Sequence, residues 1–372
     1  MKYIIYKILR FGLRFIYFFM KFFPTNKNKI TMISRQSNEI PLDFELLNKE
    51  LIKNNYQTKI ICKLLTQNMS ILEDISYIFS LIPLTYHIST SKIVILDSYC
   101  LPIGILNHKK SLTVIQMWHS IGTMKKFGYL LFGKDEGSDA KIAEIFRMHE
   151  NYDYIFCSSK IYMKHLEGGF NQPKEKMVVL PLPRLDILNK KYMSKKRKEI
   201  LQSYPNLTSK KNILYTPTFR SDTTLEVYVI DLVNKIDFNK YNLIVKLHPL
   251  DKTSLNDSRI IVDSQYSSIE MLAVADFVIS DYSCFIYEAS YYNIPVLLYN
   301  FDFELYSQKR DLQLDYCEDL PYFISSKADE IVTAIENKKY DERKIKEFIN
   351  LYITKAKKCY TKDIVDFIKE IR

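Results

Sequence analysis

The sequence predicts an α/β protein with two doubly wound, Rossmann-like domains that face a cleft, preceded by an amphipathic helix. Short apolar segments alternate with helical patterns along most of the 372 residues, which is typical of parallel sheets covered by helices. A lysine-rich polar stretch at 189–211 divides these segments into two series. The predicted parts are therefore the amphipathic helix at 1–24, an N-terminal α/β domain at 25–200 and a C-terminal α/β domain, closed by helices, at 201–372.

Ten short apolar runs are interpreted as buried strands, because each is four to seven residues long and is bounded by polar or turn-forming residues. They lie at 29–34, 58–64, 92–97, 113–118, 154–159, 177–182, 212–217, 243–248, 276–281 and 295–300. Helical patterns fill the intervals, for example at 263–275 and 283–293. The charged segment 327–372 is predicted to be helical as well.

The first 23 residues predict a helix that lies on a membrane surface rather than one that crosses it. Their longest run without charge is only 15–20, whereas a spanning helix needs about 20 apolar residues. At about 100° per residue the cations occupy one arc of the helix and large apolar side chains the opposite arc. The cationic arc contains Lys7, Arg10, Arg14 and Lys21, and the apolar arc contains Ile4, Ile5, Ile8, Phe15, Phe19 and Phe22. This pattern favours contact with an anionic lipid surface; the alternative is a helix that packs on its own domain.

Charge and composition exclude several classes of protein. The formal net charge is +10, and residues 1–38 contain eight cations and no acid, so the rest of the chain is nearly balanced. That distribution argues against a nucleic-acid-binding face. The six scattered cysteines show no metal-ligand spacing, no Asp-x-Asp motif occurs, and the cysteines fit a reducing compartment. No glycine follows Gly169, which excludes a glycine-rich phosphate loop from the second half. We therefore predict no metal site.

Polar residues that directly follow the predicted strands form the candidate site, since ligands of open parallel sheets bind beyond the carboxyl ends of strands. His119 follows one strand and precedes Lys125 and Lys126, a combination that suits proton transfer beside an anionic ligand. His248 ends another strand, just before a proline, and is expected to donate to a phosphate oxygen. Lys246 alternates with His248 and shares its side of that strand.

The second half adds further groups that suit a phosphate. Thr218 and Arg220 follow a proline, and a planar guanidinium can bind phosphate with two hydrogen bonds, although a salt bridge is the alternative. Ser280, Asp281 and Ser283 stand at a predicted helix start. We expect the two hydroxyls to donate to an anion and the Asp281 carboxylate to cap or orient the turn.

Two more residues complete the set of candidates. Glu288 lies about two turns into the same predicted helix and is a candidate contact for a ribose hydroxyl. Arg184 follows the strand at 177–182 and is a candidate contact for an acceptor phosphate, as are Lys125 and Lys126. Histidines, lysines and arginines at strand ends predict that side chains, rather than magnesium, bind a diphosphate.

The motifs at these positions resemble those of the CDP-glycerol glycerophosphotransferases, the enzymes of teichoic acid synthesis. QMWHSIGTMKKFG is similar to the family's W-H-G-x-x-x-K-K-x-G, YTPTFR to Y-x-P-T-x-R, and PLPRLDIL to P-R-x-D. VKLHP, ADFVISDYSCFIYEASYYNIPVLLY and LQLDYCEDLP resemble its H-P, A-D-x-x-I-T-D-Y-S-S and final-loop segments. The resemblance extends in order from about 90 to 325. Departures from the pattern occur at Ser120, Ser280, Glu288 and Tyr322.

The resemblance implies a GT-B-like fold with an acceptor side in the first domain and a donor site in the second. It implies that a hydroxyl of an undecaprenyl-linked saccharide attacks the phosphorus of CDP-glycerol that bears the glycerol, and that CMP leaves. His119 would be the general base. The groups that stabilise charge on the diphosphate would be Arg220, His248, Ser280 and Ser283. No cofactor is expected, and stimulation by Mg²⁺ and the oligomeric state stay open. The enzyme would be peripheral, at the cytoplasmic face of the cell membrane.

Three alternatives stay open at this point. The donor could carry ribitol instead of glycerol. The protein could be a GT-B glycosyltransferase that uses a nucleotide sugar, which would release UDP rather than CMP. It could also be a non-catalytic scaffold at the membrane, although the presence of His119, His248 and Arg220 argues against lost activity.

Overall fold

The structure is a computed structural model that describes residues 2–64, 71–134, 137–220, 225–248, 251 and 253–371. Within these residues the chain forms two parallel six-stranded sheets covered by helices, which confirms the predicted α/β class.

The first sheet has the strand order β2-β1-β3-β4-β5-β6, and every pair of neighbours is parallel. Its strands are β1 (Asn26–Ser34), β2 (Gln57–Cys62), β3 (Ser91–Leu96), β4 (Thr113–Gln116), β5 (Tyr154–Cys157) and β6 (Met177–Val179). The strand order reverses between β1 and β3, so the carboxyl ends of these two strands border a crevice of the kind that binds ligands.

The second sheet has the order β12-β11-β10-β7-β8-β9 and is also parallel throughout. Its strands are β7 (Lys211–Tyr215), β8 (Tyr241–Val245), β9 (Ile260–Val262), β10 (Phe277–Ser280), β11 (Val296–Tyr299) and β12 (Phe323–Ser325). Here the order reverses between β7 and β10, which places the corresponding crevice beyond the ends of those strands.

Helices connect the strands and pack on the sheets or on one another. They are α1 (Lys2–Met20), α2 (Leu42–Lys53), α3 (Ile71–Thr90), α4 (Leu101–Ile105), α5 (Ala140–Ile145), α6 (Lys160–Phe170), α7 (Lys190–Ser203), α8 (Glu226–Lys235), α9 (Ser268–Met271), α10 (Phe285–Tyr291), α11 (Phe303–Lys309), α12 (Ala328–Glu336), α13 (Glu342–Tyr352) and α14 (Tyr360–Glu370).

All ten predicted strands are present, each within a few residues of its predicted bounds. The edge strands β9 and β12 were not predicted, because each is only three residues long and carries no clear alternation. The polar stretch at 189–211 is not a simple connection, since most of it forms helix α7. The helix predicted at 263–275 shortens to α9, because Asp263 turns the chain after β9 and a Ser267–Glu270 capping box starts the helix only there.

The described chain divides into two compact units that are not continuous in sequence. The first unit contains residues 1–120, 127–186 and 353–372, and the second contains residues 121–126 and 187–352. This grouping differs from the predicted segments at three places: 121–126 and α7 join the second unit, and α14 joins the first.

Each unit is held together by its own sheet. In the first unit Met32, Ile95 and Ile115 are completely buried on adjacent strands. In the second unit the side chains of β7, β8, β10 and β11 pack against α8 and α12 to form a continuous apolar core. Burial of each such side chain contributes about 1.5–3 kcal/mol to folding.

Helix α1 packs on the rest of the first unit through the two arginines of its cationic arc, whereas Lys7 of that arc and the apolar arc are exposed. Arg10 and Arg14 donate to the carbonyl oxygens of Ile145 and Ile105, at 2.9 and 2.8 Å. Leu13 and Tyr17 on the same side are buried. The exposed apolar side chains of this region are Ile4, Ile5, Ile8, Phe11, Phe15, Phe18, Phe19, Phe22 and Phe23. None of the helices in the described part of the chain combines the length and the apolar character needed to cross a bilayer.

Candidate active site

The chain turns sharply after β4, and this turn positions His119. Trp118 has a φ of +65°, in the left-handed region that is uncommon for a residue with a bulky side chain. Its backbone N–H donates to the side-chain oxygen of Gln116 at 3.0 Å, and the amide nitrogen of Gln116 donates to the carbonyl of Ser98. Gln116 is completely buried, so this turn is fixed from inside the sheet.

The proton of the His119 imidazole is placed by one hydrogen bond. Nδ1 lies 2.8 Å from the carbonyl oxygen of Asp97, and because a carbonyl can only accept, Nδ1 carries the proton. In the neutral ring Nε2 then has a lone pair. Burial lowers the pKa of His119 to about 4, although the hydrogen bond to Asp97 and the charge of Asp43 oppose the shift. His119 is therefore neutral near pH 7 and can accept a proton at Nε2.

Aromatic rings fix the orientation of the His119 ring. The Trp118 ring lies 4.0 Å from it, centroid to centroid, and contacts the rings of Phe127 and Phe170 at 4.7 and 5.0 Å. Phe127 also packs against Gly169, where a Cβ would lie 2.2 Å from its ring. The motif around His119 thus continues into an aromatic cluster that holds the imidazole in one position.

His119 lines a cavity of about 200 Å³ beyond the ends of β1 and β3. Arg184 lines the same cavity as His119. Its guanidinium donates to the carboxylate of Asp43, which is only 3% exposed. Asp97 is also buried there, and burial raises its pKa. Asp43 and Asp97 were not among the predicted residues. Asp97 is the last residue of a predicted strand and could have been found by the same rule as His248, whereas Asp43 lies in the first turn of α2 and follows no strand.

Asp186, the acid of the PLPRLDIL segment, has a structural role. Its carboxylate accepts from the backbone N–H groups of Tyr360 and Thr361, both at 2.8 Å, and from the Thr361 hydroxyl. This contact anchors the start of α14 to the first unit. In this segment Arg184 therefore lines the His119 cavity, whereas Asp186 holds the start of α14.

In the second unit, the predicted polar residues meet beyond the ends of β7 and β10. Thr218 donates its backbone N–H and its hydroxyl to Asp281, at 2.9 and 2.6 Å. Asp281 also accepts from the N–H of Tyr282 and does not cap α10, which begins at Phe285. Ser280 is completely buried, and its hydroxyl donates to the carbonyl of Thr216. Ser280 therefore joins the two strands, and the structure does not present it as an anion donor.

Arg220 forms a buried ion-pair cluster, which is the alternative stated for it above. Its guanidinium donates to Asp302 at 2.6 and 2.9 Å and lies 2.8 Å from Asp281. All three side chains are at most 6% exposed. Burial lowers the pKa of Arg220, but the two carboxylates outweigh it and raise the pKa above its usual value. The ring of Phe301 stacks under the guanidinium at 4.6 Å, so Arg220 is fixed on every side.

His248 and Lys125 lie close to each other near this cluster. Burial lowers the pKa of His248, and the positive charge of Lys125 lowers it further. The ring of Phe219, next to Arg220 in the chain, is 5.6 Å from the His248 ring. Lys246, predicted to accompany His248, instead forms an ion pair with the buried Asp263 at 2.7 Å.

The two lysines of the His119 motif, Lys125 and Lys126, lie in the segment Ile121–Lys126, which belongs to the second unit. Lys125 donates to the hydroxyl of Tyr306 at 3.0 Å, and Lys126 pairs with Asp311 at 3.1 Å. Lys126 also lines a cavity of about 550 Å³. The hydroxyl of Tyr287 donates to the carbonyl of Thr123, which holds the segment against α10. Lys125 is thus near His248, whereas Lys126 is engaged by an acid.

The last two candidates lie in and before α10. This helix begins at Phe285, two residues after Ser283, whose hydroxyl accepts from the Phe285 N–H at 3.2 Å. Glu288 is buried in the helix, at 4% exposure. In the described residues no three or more His, Cys, Asp or Glu side chains are grouped so that they could hold a metal ion.

The chain is similar in sequence and in fold to known proteins. The model of the CDP-glycerol:poly(glycerophosphate) glycerophosphotransferase family matches residues 15–370. This chain belongs to that family. The teichoic acid ribitol-phosphate primase of Bacillus spizizenii strain W23 is 27% identical over 93% of this chain and 92% of its own length. The teichoic acid glycerol-phosphate primase of Bacillus subtilis strain 168 is 28% identical over 78% of this chain and 77% of its own.

The fold agrees with a solved structure of the same class. A variant of the wall teichoic acid polymerase TagF, soaked with CDPG, superposes with a TM-score of 0.76 at 18% identity, over 97% of this chain and 93% of that one. The fold of this glycerophosphotransferase-family member is therefore TagF-like and of GT-B type. The chain is a teichoic acid polyol-phosphate transferase, which confirms the family that the motifs resemble.

Proposed function

We propose that this enzyme transfers a polyol phosphate from a CDP-polyol, with CDP-glycerol as the leading donor, to a hydroxyl of a lipid-linked saccharide or a growing polymer, with release of CMP. One observation carries the assignment of the base: Nδ1 of His119 is held by the Asp97 carbonyl, so that the basic nitrogen is Nε2. The CDPG soaked into TagF supports a cytidine donor.

In the proposed reaction His119 accepts the proton of the acceptor hydroxyl as its oxygen attacks the phosphorus that bears the polyol. The bond from that phosphorus to the bridging oxygen of the diphosphate breaks, and CMP leaves with the electron pair. A positioned base of this kind typically accelerates a reaction by about 10²–10⁴-fold. The imidazole suits this role because its tautomer and its ring orientation are both fixed before substrate binds.

We propose that the donor binds beyond β7 and β10, where Lys125 and His248 supply the groups nearest to a phosphate. Arg220 is held by Asp281 and Asp302, so we assign it to positioning of the Thr218 loop rather than to direct contact with the diphosphate. Ser283 and Glu288 remain candidates for contacts to the donor. Arg184, held by Asp43, would orient the acceptor side beside His119.

CDP-ribitol is the second candidate donor. The observation that favours it is the match to the ribitol-phosphate primase, which extends over 92% of that protein's length. A direct comparison tests both: the purified enzyme is given a lipid-linked acceptor with CDP-glycerol, CDP-ribitol or UDP-sugars, and released CMP or UDP and the acceptor mass are measured. Release of CMP with an acceptor mass increase of one polyol phosphate supports the proposal. Release of UDP alone, or no transfer from either CDP-polyol, overturns it.

We propose that the enzyme works as a peripheral protein at the cytoplasmic face of the membrane, bound through α1. The exposed arc of large apolar side chains on that helix supports this assignment. The two arginines turned toward the protein donate to backbone carbonyls, so insertion of apolar side chains, rather than arginine contact with lipid headgroups, would supply most of the binding.

A further inference from the structure

A second cavity in the first unit, of about 440 Å³, lies between the carboxyl ends of β1 and β2 and the helix α3. Its volume is in the range of small-molecule sites. None of the residues assigned above to the base, the donor or the acceptor side lines it.

Cationic side chains line this cavity, and no acidic side chain of the described residues does. Lys59, Ile61 and Lys63 are every second residue along β2 and its continuation, so their side chains lie on one face of the sheet. This is the face covered by α3. Nζ of Lys63 lies 3.3 Å from the hydroxyl of Ser76 on α3, which agrees with that direction. Arg35 follows β1, and its Nε is buried without a hydrogen-bond partner among the described residues.

His87 adds a neutral donor to these cations. The ammonium of Lys29 donates to Nδ1 of His87 at 3.0 Å, and because an ammonium can only donate, the ring proton is on Nε2. Burial lowers the pKa of His87, and the charges of Lys29 and Lys59 lower it further, so the ring is uncharged at neutral pH. The cavity therefore offers hydrogen-bond donors from several directions.

Apolar side chains form the rest of the cavity and continue onto the protein surface. Ile33, Tyr77 and Leu84 line the cavity. The same helix α3 carries exposed apolar side chains that do not line it, at Ile78, Phe79, Ile82 and Tyr86. Phe23, which follows α1, packs on Tyr86 at 5.3 Å between ring centroids. One helix thus separates a cationic cavity from an exposed apolar surface that is continuous with the apolar side of α1.

We propose that this cavity binds the diphosphate of an amphiphile whose apolar chain runs over α3. The inference rests on the proposed function, because it assigns a site to the lipid end of the acceptor. Three cations, with no acid among the described lining residues, match a group with two or three negative charges better than the single charge of a phospholipid diester. The described lining residues also offer a nucleobase or a ribose no carboxylate to bind, which argues against a second nucleotide site.

Binding of farnesyl diphosphate to the full-length enzyme tests the site without requiring catalysis. Titration calorimetry or competition would compare it with farnesol, inorganic diphosphate and short-chain phosphatidylglycerol. The test variant is Lys59→Gln with Lys63→Gln. The matched control is Lys160→Gln with Lys164→Gln, which removes two exposed lysines of α6 in the same unit. Far-ultraviolet circular dichroism would show that both double variants fold.

We expect farnesyl diphosphate to bind more tightly than any of the other three probes. The Lys59/Lys63 variant should weaken its binding by at least about tenfold, and the control variant by less than about twofold, because only the first removes cations from the lining of the cavity. Equal binding of inorganic diphosphate or phosphatidylglycerol, or an unchanged affinity in the Lys59/Lys63 variant, overturns the inference. A wild type that binds farnesyl diphosphate at these lysines but releases no CMP from any CDP-polyol would leave the site standing and would overturn the proposed function instead.

Discussion

At the scale of single residues, the chemistry depends on where protons and charges are fixed. The carbonyl of Asp97 determines which nitrogen of His119 is basic, and burial keeps the ring neutral. Three predicted cations, Arg184, Lys246 and Arg220, are neutralised by buried carboxylates. Hydrogen bonds and ion pairs within the protein therefore fix these polar groups, which would lower the reorganisation needed in the proposed reaction.

Replacing His119 with alanine should lower kcat by about 10²–10⁴-fold, because the proposed general base is lost. The KM for the CDP-polyol should change little, since no donor contact is assigned to this ring. Because burial lowers the pKa of His119 to about 4, the wild-type rate should stay level from pH 8 to 6 and fall only as the pH approaches that pKa. Steady-state CMP release across this pH range measures both effects. An alanine variant with wild-type turnover would contradict the role.

Replacing Asp302 with asparagine should lower the free energy of unfolding by about 3–5 kcal/mol, because it leaves Arg220 with one buried partner fewer. The hydroxyl of Tyr282 would lose its carboxylate acceptor as well. Asp366→Asn is the control, since it breaks only the exposed pairs with Lys358 and Lys369 and should cost much less stability. Urea unfolding measures both, and equal losses would show that burial of the Asp302 pair is not decisive.

The strand-end rule predicted His119 and His248 from sequence but could not predict which cations are neutralised. Arg184 and Asp43 are 141 residues apart, and Arg220 and Asp302 are 82 apart, so no local pattern connects either pair. The rule could also have selected Asp97, because this residue ends a predicted strand and its carbonyl oxygen accepts a hydrogen bond from His119. Side-chain pairing over such separations depends on the packing of whole elements, which periodicity does not encode.

At the scale of elements, α1 is an amphipathic helix whose orientation could not be read from its sequence. The two arcs were predicted, but their directions were not: the arginines satisfy carbonyl groups on the protein, and the phenylalanines face outward. An arginine can extend over apolar surface and still reach a carbonyl at the end of a helix. Arg10 and Arg14 can therefore pack against the rest of the first unit although they are charged.

Replacing Phe11, Phe15 and Phe18 together with serine should reduce binding to lipid vesicles by at least about 100-fold, because these side chains are 71%, 59% and 58% exposed and each would lose its proposed contact with lipid. Raising the NaCl concentration should weaken wild-type binding much less. Lys7→Gln in the same helix is the control and should change binding by less than about tenfold. Vesicle sedimentation measures all of these. Binding that survives the triple substitution but disappears in salt would indicate electrostatic attachment instead.

At the scale of the whole molecule, three histidines with strongly lowered pKa values make stability depend on pH. Burial lowers the pKa of His108 and His119 to about 4 and that of His149 to about 3, against 6.5 for the ordinary side chain. The unfolded chain therefore binds more protons than the folded one between these values. The stability from these groups is complete above about pH 6.5 and is lost as the pH falls toward 4.

The free energy of unfolding should thus be lower at pH 5 than at pH 7.5, by about 2 kcal/mol for each of the three histidines. His149→Gln should reduce that pH dependence by about 2 kcal/mol, because it removes one of the titrating groups. Urea unfolding at the two pH values measures the difference. Equal stability at pH 5 and 7.5 would contradict the lowered pKa values.

The division of the chain into units affects how the protein can be taken apart. The backbone passes from one unit to the other after residues 120, 126, 186 and 352. The last passage returns α14 to the first unit, where Asp186 holds its start and the Phe367 ring packs on Tyr154 at 5.1 Å. A single proteolytic nick or one stop codon therefore cannot liberate either body whole. Split versions of this transferase would need the terminal helix supplied as a separate peptide to rebuild the body that contains His119.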